Sequence, residues 1–137
     1  MDTLSREKRS WNMSRIRSKD TGPEKVVRSL LHRLGYRFRL HDNALPGRPD
    51  IVLAKYRTAI FVHGCFWHRH LGCRYAYSPK SRCDFWLGKF EKNVQNDQHN
   101  IHQLIKLGWR VEVIWECQTK KSELQVLELR IKRLLLR

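Results

Sequence analysis

The chain has 137 residues, with 28 Lys plus Arg against 13 Asp plus Glu and a formal net charge of +15. That length suits one compact domain and leaves little room for a second, while so large a cation excess, spread along the chain rather than gathered in one tail, calls for a polyanion, nucleic acid first of all. Residues 1–20 are polar and charged, and no run approaches the ~18 apolar residues of a membrane span, so neither a signal peptide nor a membrane anchor is expected and a soluble cytoplasmic protein is. Charge alone fits a ribosome-type binding protein without chemistry as well as an enzyme.

Residues 5–18 predict a basic helix carrying Trp11 and Met13, ended by Asp20-Thr-Gly-Pro23. From Pro23 onward Val26, Val27, Leu30, Leu31 and Leu34 keep one helical face apolar, and Gly35 stands where a C-terminal cap belongs. Tyr36 to Leu40 alternates apolar side chains with Arg, which predicts a strand facing a core on one side. Ile51–Leu53 and Thr58–Val62 are short apolar runs joined through Lys55-Tyr-Arg57, an antiparallel hairpin. Residues 81–106 carry Phe85, Trp86, Phe90, Val94, Ile101, Leu104 and Ile105 at helical spacing, and Gly108 stops that helix. Trp109 to Trp115 alternates into another strand, and residues 121–136 form a closing helix with Leu124, Leu127, Ile131, Leu134 and Leu135 inward. Helix, three strands, helix, strand, helix predicts a single α/β domain over residues 1–137, its mixed sheet covered on both faces, with residues 1–20 as a basic arm. The same order matches the core of restriction-endonuclease-like nucleases, whose metal site lies on the second and third strands.

Two stretches carry the chemistry. In Leu45-Pro-Gly-Arg-Pro-Asp50 a carboxylate sits at the mouth of a strand, and the neighbouring strand ends at His63. Hydrolysis of a phosphodiester calls for a hard cation such as magnesium, which wants carboxylate and carbonyl oxygens; Asp50 and the main-chain oxygen of Val62 can supply them. The acid and lysine of the usual nuclease pattern are replaced by Phe61-Val62-His63, so His63 and His68 are the candidates for proton transfer or phosphate contact, imidazole titrating near neutrality. Cys65, His70 and Cys73 lie within nine residues, and Cys117 ends the strand starting at Trp109. If that strand lies beside Phe61, the four close a tetrahedral structural zinc site with no position open to water; the competing set replaces His70 with Cys83. Phe66 and Trp67, pinned between a metal ligand and His68, suit stacking or wedging between bases, Trp86 lies at the start of the long helix, and Met13 could wedge from the other groove. Trp109 and Trp115 read as core residues of their strand.

These residues fall into words: Arg9-Ser-x-Asn-Met13, Asp20-Thr-x-x-Glu-Lys25, Leu45-Pro-Gly-Arg-Pro-Asp50, Ile60-Phe-x-His-Gly-Cys-Phe-Trp-His68, Phe85-Trp86, Lys92-Asn-Val94, Leu107-Gly-Trp-Arg-Val111 and Val113-Ile-Trp-Glu-Cys117. By them the chain resembles, over nearly its full length, the very-short-patch repair (Vsr) DNA mismatch endonucleases. The resemblance implies a restriction-endonuclease-like fold and a strand-specific nick 5′ to the thymine of a T:G mismatch left by deamination of 5-methylcytosine. It implies Asp50 as magnesium ligand with the Val62 carbonyl, and His68 as general base oriented by Asp97. His63 and Glu24 would contact the phosphate or metal-bound waters, while Cys65, His70, Cys73 and Cys117 would hold structural zinc. Phe66, Trp67 and Trp86 would enter the duplex from the major groove with Met13 opposite. A bacterial, nucleoid-associated monomer acting on double-stranded DNA is expected, with a mismatch-repair protein as possible partner. The family's better-known pattern has threonine where Val62 stands, harmless if only the backbone oxygen binds metal, and one familiar member has one residue fewer between His70 and Cys73. Against this stand a restriction enzyme cutting both strands of a paired duplex and a non-catalytic zinc-stabilised DNA-binding module.

Overall fold

A computed structural model describes residues 20–78 and 82–136; the basic arm with Trp11 and Met13 lies outside them. Helix α1 (Gly22–Arg33) starts where Thr21 accepts the Glu24 N–H on its hydroxyl at 3.3 Å, with Pro23 in the first turn. It ends at Gly35, φ +86°, where the amides of Gly35 and Tyr36 return to the carbonyls of His32 and Leu31. The inward residues Val27, Leu30 and Leu31 are buried, as the spacing predicts.

The sheet has four strands in the order β1-β2-β3-β4: β1 (Arg39–Leu40), β2 (Ile51–Leu53), β3 (Thr58–His63) and β4 (Arg110–Trp115). β1 to β3 pair antiparallel and β4 runs parallel to β3. β1 is shorter than the predicted residues 36–40. Its partner gives the reason: Arg39 pairs with Val52 and Leu40 with Ile51, but just past Leu53 the β2 backbone curls into a 3-10 turn at Ala54–Tyr56, leaving Tyr36 nothing to pair with. Tyr36 and Phe38 still pack on the core, Tyr36 edge-on to Tyr56.

Alternation along the strands assigns the two faces. Ile51, Leu53, Ile60, Val62 and Ile114 meet α1 and helix α3 (Leu124–Leu134), burying Leu127, Ile131 and Leu135. Ala59 and Phe61 face the long helix α2 (Cys83–Lys106) through Leu104 and Ile101, with Trp109, Val111 and Val113 alongside. The sheet is therefore mixed and covered on both faces, and all six residues of β3 are buried, as a central strand requires. His63, two residues beyond Phe61, falls on the α2 side. Because β3 and β4 are parallel, with His63 opposite Trp115, both strands end at the same edge. None of the described helices is long and apolar enough to cross a membrane.

Candidate active site and metal centre

The loop before β2 delivers Asp50 to this edge. Gly47 takes φ +74°, and a Cβ there would stand 2.7 Å from the Cβ of Asn100, so glycine lets the loop lie against α2. Asp50 Oδ2 accepts the Val62 N–H at 2.7 Å, which ties the start of β2 to the end of β3. Burial, opposed by that hydrogen bond and reinforced by the nearby Glu24 carboxylate, pushes the Asp50 carboxyl up to about 6. Glu24 is itself buried, its Oε2 accepting from the Asp20 N–H and Arg28 Nη2 at 2.9 Å each and lying 3.1 Å from His41 Nε2. Arg28 and His41, which the residue pattern did not single out, thus hold the second carboxylate beside the first.

On the other side of the groove the rings of His63 and His68 stack at 3.9 Å and 7°. Asp97 on α2 lies under both, its Oδ2 2.6 Å from His68 Nδ1 and its Oδ1 3.9 Å from His63 Nε2. A carboxylate accepts and does not donate, so the contact calls for the His68 proton on Nδ1 and turns Nε2 away from Asp97. Burial first, and then the neighbouring His68, lower His63 to about 4 against the pull of Asp97, so its ring stays neutral. One signal in the sequence marks Asp97: it sits in the stripe Trp86, Phe90, Asn93, Asp97, Ile101, Leu104, a carboxylate on the buried face of a helix.

Glu24, Asp50, Val62, His63, His68 and Asp97 all line one groove of about 810 Å³, and Phe66 and Trp67 form part of its wall. These two rings are half-buried, whereas Trp86 is 8% exposed and lies beneath them, 5.8 Å from Phe66 and 5.6 Å from Trp67. Asn93 on α2 donates to the Trp67 carbonyl at 3.1 Å.

Past β3 and β4 the chain places Cys65 next to Cys117, whose N–H points at the Cys65 sulfur at 3.4 Å. Ligand atoms of Cys65, His70, Cys73 and Cys117 all lie within 4.8 Å of one another, a group able to hold a metal ion. Burial pushes the Cys65 thiol up to about 12, so without a cation its thiolate is strongly disfavoured. For Cys73, burial raises the pKa, but hydrogen bonds led by the Tyr75 amide outweigh it and the net shift is downward. Of Cys83, the competing ligand, the side chain lies outside the described residues. Trp115 departs from its core reading: half-buried, it stands edge-on to His63 at 5.3 Å and stacks flat on His70 at 4.2 Å, a spacer between the two centres.

Residues 1–74 match the family model described as DNA mismatch endonuclease Vsr. The Type II nicking enzyme V.XorIIP of Xanthomonas oryzae pv. oryzae is 53% identical over 134 residues, which span 98% of this chain and 96% of that enzyme. The DNA mismatch endonuclease Vsr of Escherichia coli K12 is 47% identical over 122 residues, 89% of this chain and 78% of that protein. The Type II nicking enzyme V.HpaIIP of Haemophilus parainfluenzae is 36% identical across 89% of this chain. The chain belongs to the DNA mismatch endonuclease Vsr family and is a DNA endonuclease, a hydrolase of phosphodiester bonds.

Proposed function

We propose that the chain nicks one strand of duplex DNA 5′ to the thymine of a T:G mismatch, leaving a 5′-phosphate, on one restriction-endonuclease-like domain spanning residues 1–137. One observation carries this reading: the Asp50 carboxylate, the His68–Asp97 pair and the aromatics Phe66 and Trp67 share a single groove. A net charge of +15 suits the polyanionic substrate.

Asp50 and the Val62 carbonyl fit magnesium. A carboxylate whose charge is disfavoured by burial gains from a divalent cation, and an extended residue turns its N–H and C=O toward the same neighbouring strand, so Val62 offers a hard oxygen on the Asp50 side. Bound there, magnesium would neutralise charge on the scissile phosphate and acidify a ligated water. His68 accepts the proton of the attacking water at Nε2, Asp97 holds its tautomer, and neutral His63 gives one N–H to a phosphate oxygen. Glu24, clamped by Arg28 and His41, would contact the phosphate or waters on a bound ion. Valine in place of threonine is compatible with this arrangement, which uses only the backbone oxygen.

The Cys65, His70, Cys73 and Cys117 set fits zinc. His70 Nδ1 lies 3.6 Å from the Cys65 sulfur and 3.4 Å from that of Cys117, close to the ~3.6 Å edge of a tetrahedron built from ordinary zinc–sulfur and zinc–nitrogen bonds. With four protein ligands the ion would be structural, stiffening the loop that carries Phe66 and Trp67. Those rings, opposed by Met13, would wedge beside the mismatch, while Trp86, expected to enter the duplex with them, is buried beneath and would support them instead.

Strand-resolved cleavage of an end-labelled duplex with and without T:G, in magnesium or EDTA, tests the proposal. A single nick is expected, in the thymine strand of the mismatched duplex with magnesium, and Asp50→Asn should bind this DNA without cutting it. Scission of both strands of the paired control would point to a restriction enzyme instead. Undiminished cutting by Asp50→Asn would remove that residue from the mechanism.

A further inference from the structure

Arg69 lies between the groove and the metal centre, and no role above uses it. Its backbone takes φ +55°, a conformation that non-glycine residues adopt at a cost and keep where their surroundings enforce it. Here the enforcing contacts come from its own side chain. Nη1 donates to the carbonyls of Phe66 at 3.4 Å and Tyr77 at 3.0 Å, and Nη2 to that of Ala76 at 2.9 Å. The guanidinium lies 4.1 Å over the Phe90 ring on α2 and 5.9 Å from the Phe66 ring. Phe66 is the hub of the aromatic cluster, 5.2 Å from Trp67, 4.9 Å from Tyr77 and 5.1 Å from Phe90. One planar fork thus joins both limbs of the loop, at residue 66 and at residues 76 and 77, to the long helix. The cysteine and histidine ligands grip only the loop's base, through residue 73. Three of its five N–H donors are spent on carbonyls, which leaves fewer for a DNA phosphate.

We propose that Arg69 is a positioning residue that holds the Phe66–Trp67 wedge in its inserting geometry before DNA arrives, and so sets the preference for mismatched over paired duplex. The inference rests on the wedge reading of Phe66 and Trp67. A wedge that must be ordered at the moment of insertion binds more weakly, whereas a paired duplex held by its phosphates never asks for that ordering.

The test compares the full chain with Arg69→Ala, Arg69→Lys and the double variant Phe66→Ala/Trp67→Ala. The readouts are equilibrium binding to T:G and fully paired duplexes over a salt series and single-turnover nicking at saturating enzyme. Arg69→Ala should lower affinity for the mismatch by roughly tenfold while paired-duplex affinity and its salt slope hold, the loss falling on binding rather than on the saturated rate. Arg69→Lys should do no better, because one ammonium neither spans three carbonyls nor lies flat on a ring. Should Arg69→Ala fail to melt cooperatively, Arg69→Lys carries the same comparison. Equal losses on both duplexes, with a shallower salt slope and rescue by lysine, would overturn the inference and make Arg69 a phosphate contact. An unchanged ratio of affinities would overturn it as well. If the double variant keeps the mismatch preference, the wedge reading fails and this inference falls with it; if it loses the preference and both Arg69 variants keep theirs, the inference alone fails.

Discussion

Asp97 bears on two imidazoles at once, and the chemistry depends on which nitrogen it binds. Its 2.6 Å hydrogen bond to Nδ1 of His68 favours the tautomer with the proton there, the one the proposed general base at Nε2 needs. An asparagine could turn its NH₂ to Nδ1 and stabilise the opposite tautomer, keeping the shape and losing the base. Asp97→Asn is therefore expected to slow single-turnover nicking by about 10²–10⁴-fold with little change in duplex affinity, measured by rapid quench beside equilibrium binding. Equal rates would release His68 from the general-base assignment. At this scale the cysteines were legible, because parallel strands that end together bring Cys65 and Cys117 side by side. Arg28 and His41 were not: both lie outside any motif, and their meeting at Glu24 needs α1 and the β1–β2 loop to converge in three dimensions. Trp115 alternates like a core residue, and alternation cannot tell a core from a cleft lined with histidines.

At the scale of elements, the Asp50 loop and α2 approach each other more closely than any side chain at residue 47 allows. Gly47→Ala places a methyl 2.7 Å from the Asn100 Cβ on a backbone at φ +74°. The expected cost is about 1–3 kcal/mol, read by urea denaturation, and slower nicking should accompany it because Asp50 follows three residues later. Normal stability and rate would mean that the loop is free to shift. Periodicity revealed α1, α2, β4, α3 and the hairpin, since each buries one face against a neighbour that persists along its length. It overstated β1, whose pairing depends on where β2 turns away, a property of the partner and not of Tyr36 to Leu40.

For the whole molecule, the groove is held against stability, and pH exposes this. Unfolded His63 takes up a proton below its ordinary 6.5, while the folded ring refuses one until about 4, so its contribution falls as pH drops across that window. Asp50 acts oppositely: the folded carboxyl keeps its proton up to about 6 and the unfolded one loses it near 3.8, so in metal-free buffer stability falls as pH rises between those values. Asp50→Asn removes the second effect and leaves the first. The variant should be more stable than the parent at pH 7.5 without magnesium, by on the order of 2 kcal/mol, and should lose stability more steeply below pH 6. Urea midpoints at pH 4.5, 6 and 7.5 check both slopes, and matched midpoints at pH 7.5 would show that the aspartate carries no strain.

The shared endpoint of β3 and β4 also governs where this chain can grow or shrink. One residue inserted after Phe61 would swap the faces of everything beyond it, turning the imidazole of His63 away from Asp97 and drawing Cys65 out of line with Cys117 in the same stroke. A residue added at Lys55 or Tyr56, at the far tip of the hairpin, disturbs neither. Length variation among descendants of such a sequence should therefore gather at that tip and in the segment beyond His70, and stay out of the stretch from Thr58 to Cys65.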